Sequence, residues 1–386
     1  MPTNAKKDPA AGVVTRPARV AGMLLGRAVR GLGPIVISLL IGAVALIASG
    51  KNPLSVYWLF IQEALGTPTN LAGTLAAATP LLLTGLGSAI CFRAGFFNVG
   101  LEGSLYTGAL GTAWVAFIGH SLPGPFLIML SLLGGLTGGL VWMVVPALLR
   151  VFLGIDEVVT TLMLNYVAIG LTSYLVLYHF LYGTTGNAQS PPIAEQAHLA
   201  PLVPGTTLTI GFVVAIVAVL VYGWLLRSTR FGFRVRTVGD SPRFARAIGI
   251  SIERTAMITM LLGGATAGLA GGLIVLGVTG NFTVGFSTAP GFGYTGIAVA
   301  VLARNSWFGI ILGSLFFGAL SSGGALVQLF GNVPIALTQI LQGSLMIFAG
   351  IKVVGMTLRR RRERGLPAVA VPGSDSTPAT DSRELI

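Results

Sequence analysis

The sequence predicts an all-α integral membrane protein with about ten transmembrane helices and both termini in the cytoplasm. The chain of 386 residues is 53% hydrophobic and only 9% charged, whereas soluble domains carry roughly 25% charged residues. Apolar runs of about 20 residues, long enough to cross a bilayer as a helix, recur along it. Its 54 glycines are about twice the usual share, and small residues let membrane helices pack closely.

The chain begins with a polar, basic arm, residues 1–31, which we expect to be cytoplasmic and poorly structured. An apolar block follows and ends at Ala48-Ser49-Gly50, a sequence compatible with signal-peptide cleavage. However, such a leader would be unusually long, and the block is long enough to span the membrane. We therefore interpret it as an uncleaved first helix, at about 32–50.

Nine further apolar blocks complete a transmembrane domain at 32–354. We place these spans at about 71–91, 99–118, 126–149, 158–181, 207–226, 255–277, 291–303, 308–328 and 335–354. Residues 355–386 form a basic tail that continues as a Pro-, Ser- and Thr-rich stretch. Because that composition buries little apolar surface, the tail is predicted to be disordered.

The distribution of charge supports both the number of spans and their direction. With the N-terminus inside, every lysine and arginine except Lys51 falls on the cytoplasmic side, as the positive-inside rule requires. The net charge of +12 therefore reflects topology, and we expect no binding to nucleic acid. Residues 71–181 and 255–354 each hold four predicted spans of opposite direction. Two inverted four-helix blocks of this kind are the pattern of an inverted repeat, which predicts a pathway at the interface between the blocks.

Several glycines lie four residues apart, which predicts close approach between helices. The pairs are Gly134 with Gly138, Gly135 with Gly139, Gly264 with Gly268, and Gly268 with Gly272. Packing alone explains this spacing, although glycines also allow helices to break and line a cavity.

The longest polar interruption, residues 227–254, contains a short helix with both ends marked. Ser241 is suited to cap its N-terminus, and Pro242 suits the first turn because its missing N–H would be unpaired there. Gly249 is placed to end the helix in a left-handed conformation. Seven arginines surround it: Arg227, Arg230, Arg234, Arg236, Arg243, Arg246 and Arg254.

Phe244 and Ile248 share one face of this helix, since they lie four residues apart, while Arg243 and Arg246 lie on the other side. A helix of two turns has little of its own to pack on. It therefore either lies on the lipid surface or docks into another protein, and docking is the favoured interpretation.

Residues 92–103 form the first of two segments that read as broken helices. Asn98 and Glu102 are costly if they face lipid, and they share a face if this part is helical. Backbone this rich in glycine is tolerated at depth only where it is buried in protein or faces water. An ordinary cytoplasmic turn is the alternative. Asn165 and Tyr166, inside the fifth predicted span, either face a pathway or bond between helices.

The second segment, residues 279–296, alternates aromatic side chains with Gly, Ser and Thr. Its aromatic residues are Phe282, Phe286, Phe292 and Tyr294. Such a wall can stack on a base or sugar ring while offering hydroxyl groups for hydrogen bonds. The alternative is a plain extracellular loop followed by a helix.

Enzyme chemistry is poorly represented in the sequence. Only four lysines occur, none before Ser or Thr, so the phosphate-binding loop of ATPases is missing. The single cysteine, Cys91, excludes an intramolecular disulfide, and the three histidines are far apart, so no metal site is expected. Glu102 is the one acidic residue in a plausible mid-membrane position. This counts against a proton-driven carrier, although sodium coupling through carbonyl groups would leave no such trace.

Several motifs together identify a family resemblance. They are Phe97–Gly103 (FNVGLEG), Gly154–Tyr166 (GIDEVVTTLMLNY), Gly239–Arg243 (GDSPR), Gly293–Ala300 (GYTGIAVA) and Ala303–Ser306 (ARNS). Over roughly residues 35–355, the chain resembles the permease subunits of bacterial ABC importers. The branch it resembles contains the simple-sugar and nucleoside permeases, related to those for ribose and branched-chain amino acids. The run from Asp156 to Tyr166 favours the nucleoside type.

The resemblance implies a multi-pass protein of the bacterial inner membrane that forms half of a nucleoside pathway. Its implied partners are a cytoplasmic ABC ATPase that uses ATP and Mg²⁺, a second homologous permease in a heterodimer, an extracytoplasmic substrate-binding lipoprotein and membrane lipid. The chain itself is expected to bind no cofactor. The alternatives are a simple-sugar (pentose) ABC permease and an ion-coupled or facilitative carrier that acts without an ATPase.

The resemblance also assigns residues to the coupling helix, the element that sits in a cleft of the ATPase. These are Gly239, Asp240, Ser241, Pro242, Arg243, Phe244, Ala245, Arg246 and Gly249. The family usually has two small residues inside this helix; here Phe244 replaces the first and Ala245 keeps the second. The residues expected to line the substrate pathway are Asn98, Glu102, Asn165, Tyr166, Phe292 and Tyr294.

Overall fold

A computed structural model describes residues 36–183, 188–287, 291–331, 333–334 and eight helical positions between 336 and 348. The arm at 1–31 and the tail at 355–386 lie outside the described residues, and the last predicted span, 335–354, is described only in part. Helices make up the regular structure of the described chain. Two isolated bridges, Gln189 with Thr283 and Pro201 with Thr209, are the exceptions there.

The described helices are numbered here in chain order. They are α1 Val36–Ala48, α2 Pro53–Leu65, α3 Pro68–Arg93, α4 Leu101–Ile118, α5 Gly124–Leu153, α6 Glu157–His179, α7 Gly211–Ser228, α8 Arg230–Asp240, α9 Pro242–Ala247, α10 Ile252–Ile274, α11 Phe292–Leu302 and α12 Trp307–Gly331. A 3₁₀ turn lies at Glu195–Ala197, and α10 continues as a π-helical turn, Val275–Thr279.

Six of the described helices are long and apolar enough to cross a membrane: α3, α5, α6, α7, α10 with its π-helical turn, and α12. The pair α1 and α2, bent by 117°, makes a seventh if it counts as one span. The short helix α11 has only 11 residues. A multi-pass helical membrane protein is thus confirmed, whereas the count of ten and the cytoplasmic placement of the termini stay predictions. The first predicted block holds four helices, α3 to α6; its inverted relation to the second also stays a prediction.

Local side-chain caps explain where many of the helices begin. Thr67 Oγ1 accepts a hydrogen bond from the Asn70 N–H at 3.0 Å at the start of α3. Asp156 Oδ1 accepts one from the Val158 N–H at 2.8 Å at the start of α6. These caps satisfy backbone donors that have no partner within the helix. Gly154, with φ of +66°, ends α5 in the left-handed region, which glycine adopts without steric cost.

The core lies where α3, α4 and α10 meet, and α5 packs along α10 and α4. Gly139 and Gly268 place backbone directly against backbone at this crossing. A Cβ on Gly139 would come within 2.3 Å of the Gly264 carbonyl oxygen, and one on Gly268 within 2.3 Å of the Gly135 carbonyl oxygen. The predicted close approach of glycines four residues apart is therefore confirmed. The other members of the predicted pairs, Gly134, Gly138 and Gly272, face α4.

Replacing Gly268 by Ala should destabilise the fold, because the new methyl group meets backbone atoms that cannot move aside. We expect a loss of about 1–3 kcal/mol, measured as a lower unfolding temperature of the purified protein in mild detergent. Gly170→Ala in α6 is the matched control, since a Cβ there meets no atom within 4 Å. Equal unfolding temperatures for the two variants would contradict the packing argument.

Candidate functional site

Most of the chain between α3 and α4 is buried inside the protein, although Gly95 and Phe97 are exposed. Asn98, Val99 and Gly100 are all buried, and Gly95 adopts a φ of +88°. Asn98 Oδ1 accepts a hydrogen bond from the Gly100 N–H at 2.8 Å. Since α4 begins only at Leu101, Asn98 precedes the helix. Asn98 and Glu102 therefore do not share a helical face. Asn98 is buried in protein, and a role of this segment in a pathway stays a prediction.

A polar stripe on α6 holds this segment. Glu157, Thr161 and Asn165 follow each other at four-residue intervals, so they lie along one face of α6. Their side-chain oxygens accept hydrogen bonds from successive backbone N–H groups of the neighbouring chain: Phe97 at 3.2 Å, Val99 at 3.2 Å and Gly103 at 2.9 Å. The stripe thus satisfies donors that would be expensive to leave unpaired in a dry interior.

Asn165 and Glu157 also bond to further partners. The Asn165 Nδ2 donates to the Val99 carbonyl at 2.9 Å, so its amide satisfies backbone on both sides. Arg150 Nε lies 3.1 Å from Glu157 Oε2, and this ion pair holds the end of α5 against the start of α6. Of the two interpretations of Asn165, bonding between helices is the one that the structure supports.

Glu102 joins the starts of α4 and α11. Its Oε2 accepts a hydrogen bond from the Gly293 N–H at 2.6 Å, and its side chain is buried. A Cβ on Gly293 would lie 2.4 Å from the Glu102 nitrogen, so only glycine allows this approach. No lysine or arginine of the described residues forms an ion pair with Glu102. Its carboxyl group is instead bonded by the Ser287 hydroxyl and by the backbone N–H groups of Gly293 and Tyr294 at the start of α11.

The start of α11 is fixed from two further sides. Thr84 Oγ1 donates to the Phe292 carbonyl at 2.9 Å, and Asn165 Nδ2 donates to the Tyr294 hydroxyl at 3.2 Å. The structure therefore brings together Glu102, Asn165, Phe292 and Tyr294, which the sequence places in three separate motifs. We call this set the α11 junction.

Tyr166 lies apart from the α11 junction. Its side chain is 64% exposed on the outer face of α6, whereas its neighbour Asn165 is fully buried. Tyr174 and Tyr178, which follow 8 and 12 residues later on α6, are also exposed. Three tyrosine side chains are therefore exposed along this helix.

A cavity opens between α3, α12 and the end of α10. Its empty space is about 1020 Å³, including the solvent at its mouth. Phe286 and Phe292 line it, so part of the predicted aromatic wall faces this space. Phe282 instead packs in the interior, with its ring 5.5 Å from that of Phe286. None of the described lining residues is charged. Six of them carry hydroxyl groups: Thr79, Thr207, Thr209, Thr279, Ser321 and Ser322.

The short helix in the polar interruption is confirmed as α9. Ser241 Oγ accepts a hydrogen bond from the Phe244 N–H at 3.4 Å, and Gly249 has a φ of +79°. Ala245 is fully buried, whereas Phe244 and Ile248 are 56% and 45% exposed. An apolar knob therefore projects from an otherwise basic segment.

The preceding helix α8 was missed in the sequence, where its arginines suggested a loop. Its inner face is buried at Gly232, Val235 and Val238. The spacing of these apolar residues was the signal that could have found it.

The segment α8–α9 is pressed against the end of α3. A Cβ on Gly239 would lie 2.1 Å from the Arg93 carbonyl oxygen, so backbone meets backbone there. Arg93 also pairs with Asp240 at 3.4 Å. A displacement of α9 would thus bear directly on the buried chain that follows Arg93. No group of three or more His, Cys, Asp or Glu among the described residues is arranged to hold a metal ion.

Comparisons with known proteins agree with this architecture. The family described as branched-chain amino acid transport system / permease component matches residues 70–350. The glucose ABC transporter permease protein TsgB13 of Haloferax volcanii is 37% identical over 324 residues, 81% of this chain and 84% of that protein. Two proteins of Lactococcus lactis are also similar. The nucleoside ABC transporter permease protein NupB is 31% identical (83% of this chain, 90% of NupB), and NupC is 29% identical (68% and 83%).

Removing the amide of Asn165 should destabilise the protein. In Asn165→Leu the Gly103 N–H loses its acceptor and the Val99 carbonyl loses a donor, both in the interior. We expect a loss of roughly 2–4 kcal/mol, measured by thermal unfolding in detergent. Tyr166→Phe, one residue along on the exposed face, is the control and should leave the unfolding temperature unchanged. Similar effects of both substitutions would count against the role of the α6 stripe.

Proposed function

The chain belongs to the family of branched-chain amino acid transport system permease components, and we propose that it is a permease subunit of an ATP-driven ABC importer of nucleosides. The family match over residues 70–350 carries this proposal. The chain contributes half of a translocation pathway in the bacterial inner membrane. ATP and Mg²⁺ are used by a separate cytoplasmic subunit, and an extracytoplasmic lipoprotein delivers the solute.

The exposed side of α9 supports docking to the ATPase. Phe244 and Ile248 present apolar surface within residues 227–254, a segment that contains seven arginines. Exposed apolar side chains of this size are a common mark of a protein contact. The close packing of Gly239 on Arg93 gives such a contact a route to the interior. Phe244, in the place of a small residue, acts as a knob that fits its own ATPase.

The outer face of α6 supports a second permease subunit. Tyr166 lies ten residues into a helix of 23 residues, and so near the middle of the span. Lipid chains offer its hydroxyl no hydrogen-bond partner, whereas a second subunit or a water-filled pathway does. We therefore place the pathway along this face, between two permeases. A heterodimer is supported by the two Lactococcus lactis relatives, NupB and NupC.

Nucleosides are the proposed solutes, on the strength of NupB and NupC and of the run Asp156–Tyr166. A simple sugar is the second candidate, because TsgB13, a glucose permease, is 37% identical to this chain. Both classes of solute are neutral.

Uptake by the assembled importer tests the proposal. This chain, its ATPase, the second permease and the lipoprotein, reconstituted in liposomes, should accumulate uridine only when ATP is supplied. An ATPase variant without hydrolysis should be inactive. Preferential uptake of glucose would favour the sugar candidate, and uptake by this chain alone without ATP would establish a carrier instead.

Phe244→Asp should abolish association with the ATPase, because a desolvated charge would replace the apolar knob. Co-purification from detergent-solubilised membranes measures this, with insertion followed by the yield of folded chain. Phe152→Asp is the control, since Phe152 is exposed at the end of α5, outside the α8–α9 segment. Undiminished co-purification of the Phe244→Asp chain would rule out the docking role.

A further inference from the structure

The cavity between α3, α10 and α12 lies within a single subunit. Its described lining comes from α3, the chain around Thr209, α10 with its π-helical turn, Phe286, Phe292 and α12. The exposed face of α6 contributes none of the described lining residues. We propose that this cavity is a second solute-binding site, inside each subunit, for a neutral ring that carries hydroxyl groups. The class of solute rests on the proposed function.

Unused hydroxyl groups are the first reason. Among the described residues, the side chains of Thr207, Thr209, Ser321 and Ser322 take part in no hydrogen bond. Serines in helices commonly bond to the carbonyl four residues earlier, yet the two on α12 leave their hydroxyls available. Four such groups around one space suit a ligand with several hydroxyls of its own, because each unpaired partner gains a bond on binding.

A flat apolar surface is the second reason. Phe286 is held from behind by the ring of Tyr106 at 4.8 Å and that of Phe282 at 5.5 Å, and both of these side chains are buried. The backbone of Phe292 is fixed through its carbonyl by Thr84. The Phe286 ring is therefore held in place before a ligand arrives, and the Phe292 side chain starts from a fixed backbone position. Such preorganised rings stack on the face of a base or the apolar face of a sugar.

The absence of charge from the described lining sets the chemical class. A phosphorylated solute would bring a charge into a space that supplies no cation there, at a large desolvation cost. A lipid chain would leave the four hydroxyls unpaired. The cavity volume, about 360 Å³, lies at the lower end of the range of about 300–1,000 Å³ that sites for small molecules occupy. A single nucleoside or sugar therefore fits this cavity.

A ligand bound in the cavity would also affect the α11 junction. Phe292 faces the cavity, and Tyr294, two residues later, bonds to Asn165 on α6. Tyr166 on the proposed pathway is the next residue along α6. A ligand against Phe292 is thus separated from the pathway by one short, tightly bonded element.

Equilibrium binding of radiolabelled uridine and of radiolabelled glucose to the purified full-length chain in lipid nanodiscs tests this site without any ATPase. One of the two should bind, and uridine monophosphate should not compete. The double variant Ser321→Ala/Ser322→Ala should weaken binding by about tenfold, since two hydrogen bonds are lost. The single variant Thr209→Val is a second, independent test, and it should weaken binding by less than the double variant. Ser173→Ala on α6, whose hydroxyl bonds to its own helix, is the control and should bind normally.

The binding assay and the uptake assay distinguish failure of the proposed cavity site from failure of the proposed importer. A wild-type chain that binds neither solute, or variants that bind as tightly as wild type while remaining folded, would overturn the intrasubunit site even if ATP-driven uptake is intact. Loss of ATP dependence in the uptake assay would overturn the importer and leave the binding result standing.

Discussion

The need to satisfy buried backbone groups shapes the centre of this protein. A helix that breaks inside a membrane leaves N–H and C=O groups that lipid cannot serve. Here the break follows α3, and side chains of the polar stripe on α6 accept hydrogen bonds from its N–H groups. Glu157 accepts from Phe97, Thr161 from Val99 and Asn165 from Gly103. With these bonds made, a glycine-rich stretch is stable in the interior, and α4 can begin deep in the protein.

The same logic applies at the second break. The short helix α11 begins inside the fold, and the Glu102 carboxylate accepts its Gly293 N–H. A buried carboxylate without a basic partner is normally costly. Here the backbone N–H groups at the start of α11 and the Ser287 hydroxyl provide its hydrogen bonds. The breaks of α4 and α11 are therefore coupled, because Glu102 belongs to one helix and bonds to the other, and Asn165 bonds to both.

A close glycine contact connects these breaks to the α8–α9 segment. Gly239 packs on the backbone of Arg93, and the buried chain begins at the residue after Arg93. A push on α9 thus reaches the α6 stripe through few intermediates, all of them backbone or short polar side chains. Such stiff contacts support the proposed coupling to a separate ATPase subunit.

Much of this arrangement follows from local chemistry and could be predicted. The apolar runs predict membrane helices, because an apolar helix satisfies its own backbone hydrogen bonds inside the bilayer. Ser241, Pro242 and Gly249 mark α9 because caps act within a few residues, and glycines four apart predict close crossings because they lie on one helical face. The motifs also identify the family. The helix α8 was missed because its arginines outweighed three small or apolar residues on its inner face.

The assembly of the site was decided by the tertiary structure. The sequence singles out Asn165 and Tyr166 together, yet one is buried and the other exposed, because neighbours on a helix point about 100° apart and only packing decides which direction is inward. Glu102 and Gly293 are 191 residues apart, and no local pattern links them. The sequence by itself determined that this is a multi-pass helical membrane protein, and it pointed to the segments where helices are interrupted. Only the fold determined which polar side chain satisfies each break, since those partners lie on other helices and are chosen by three-dimensional proximity.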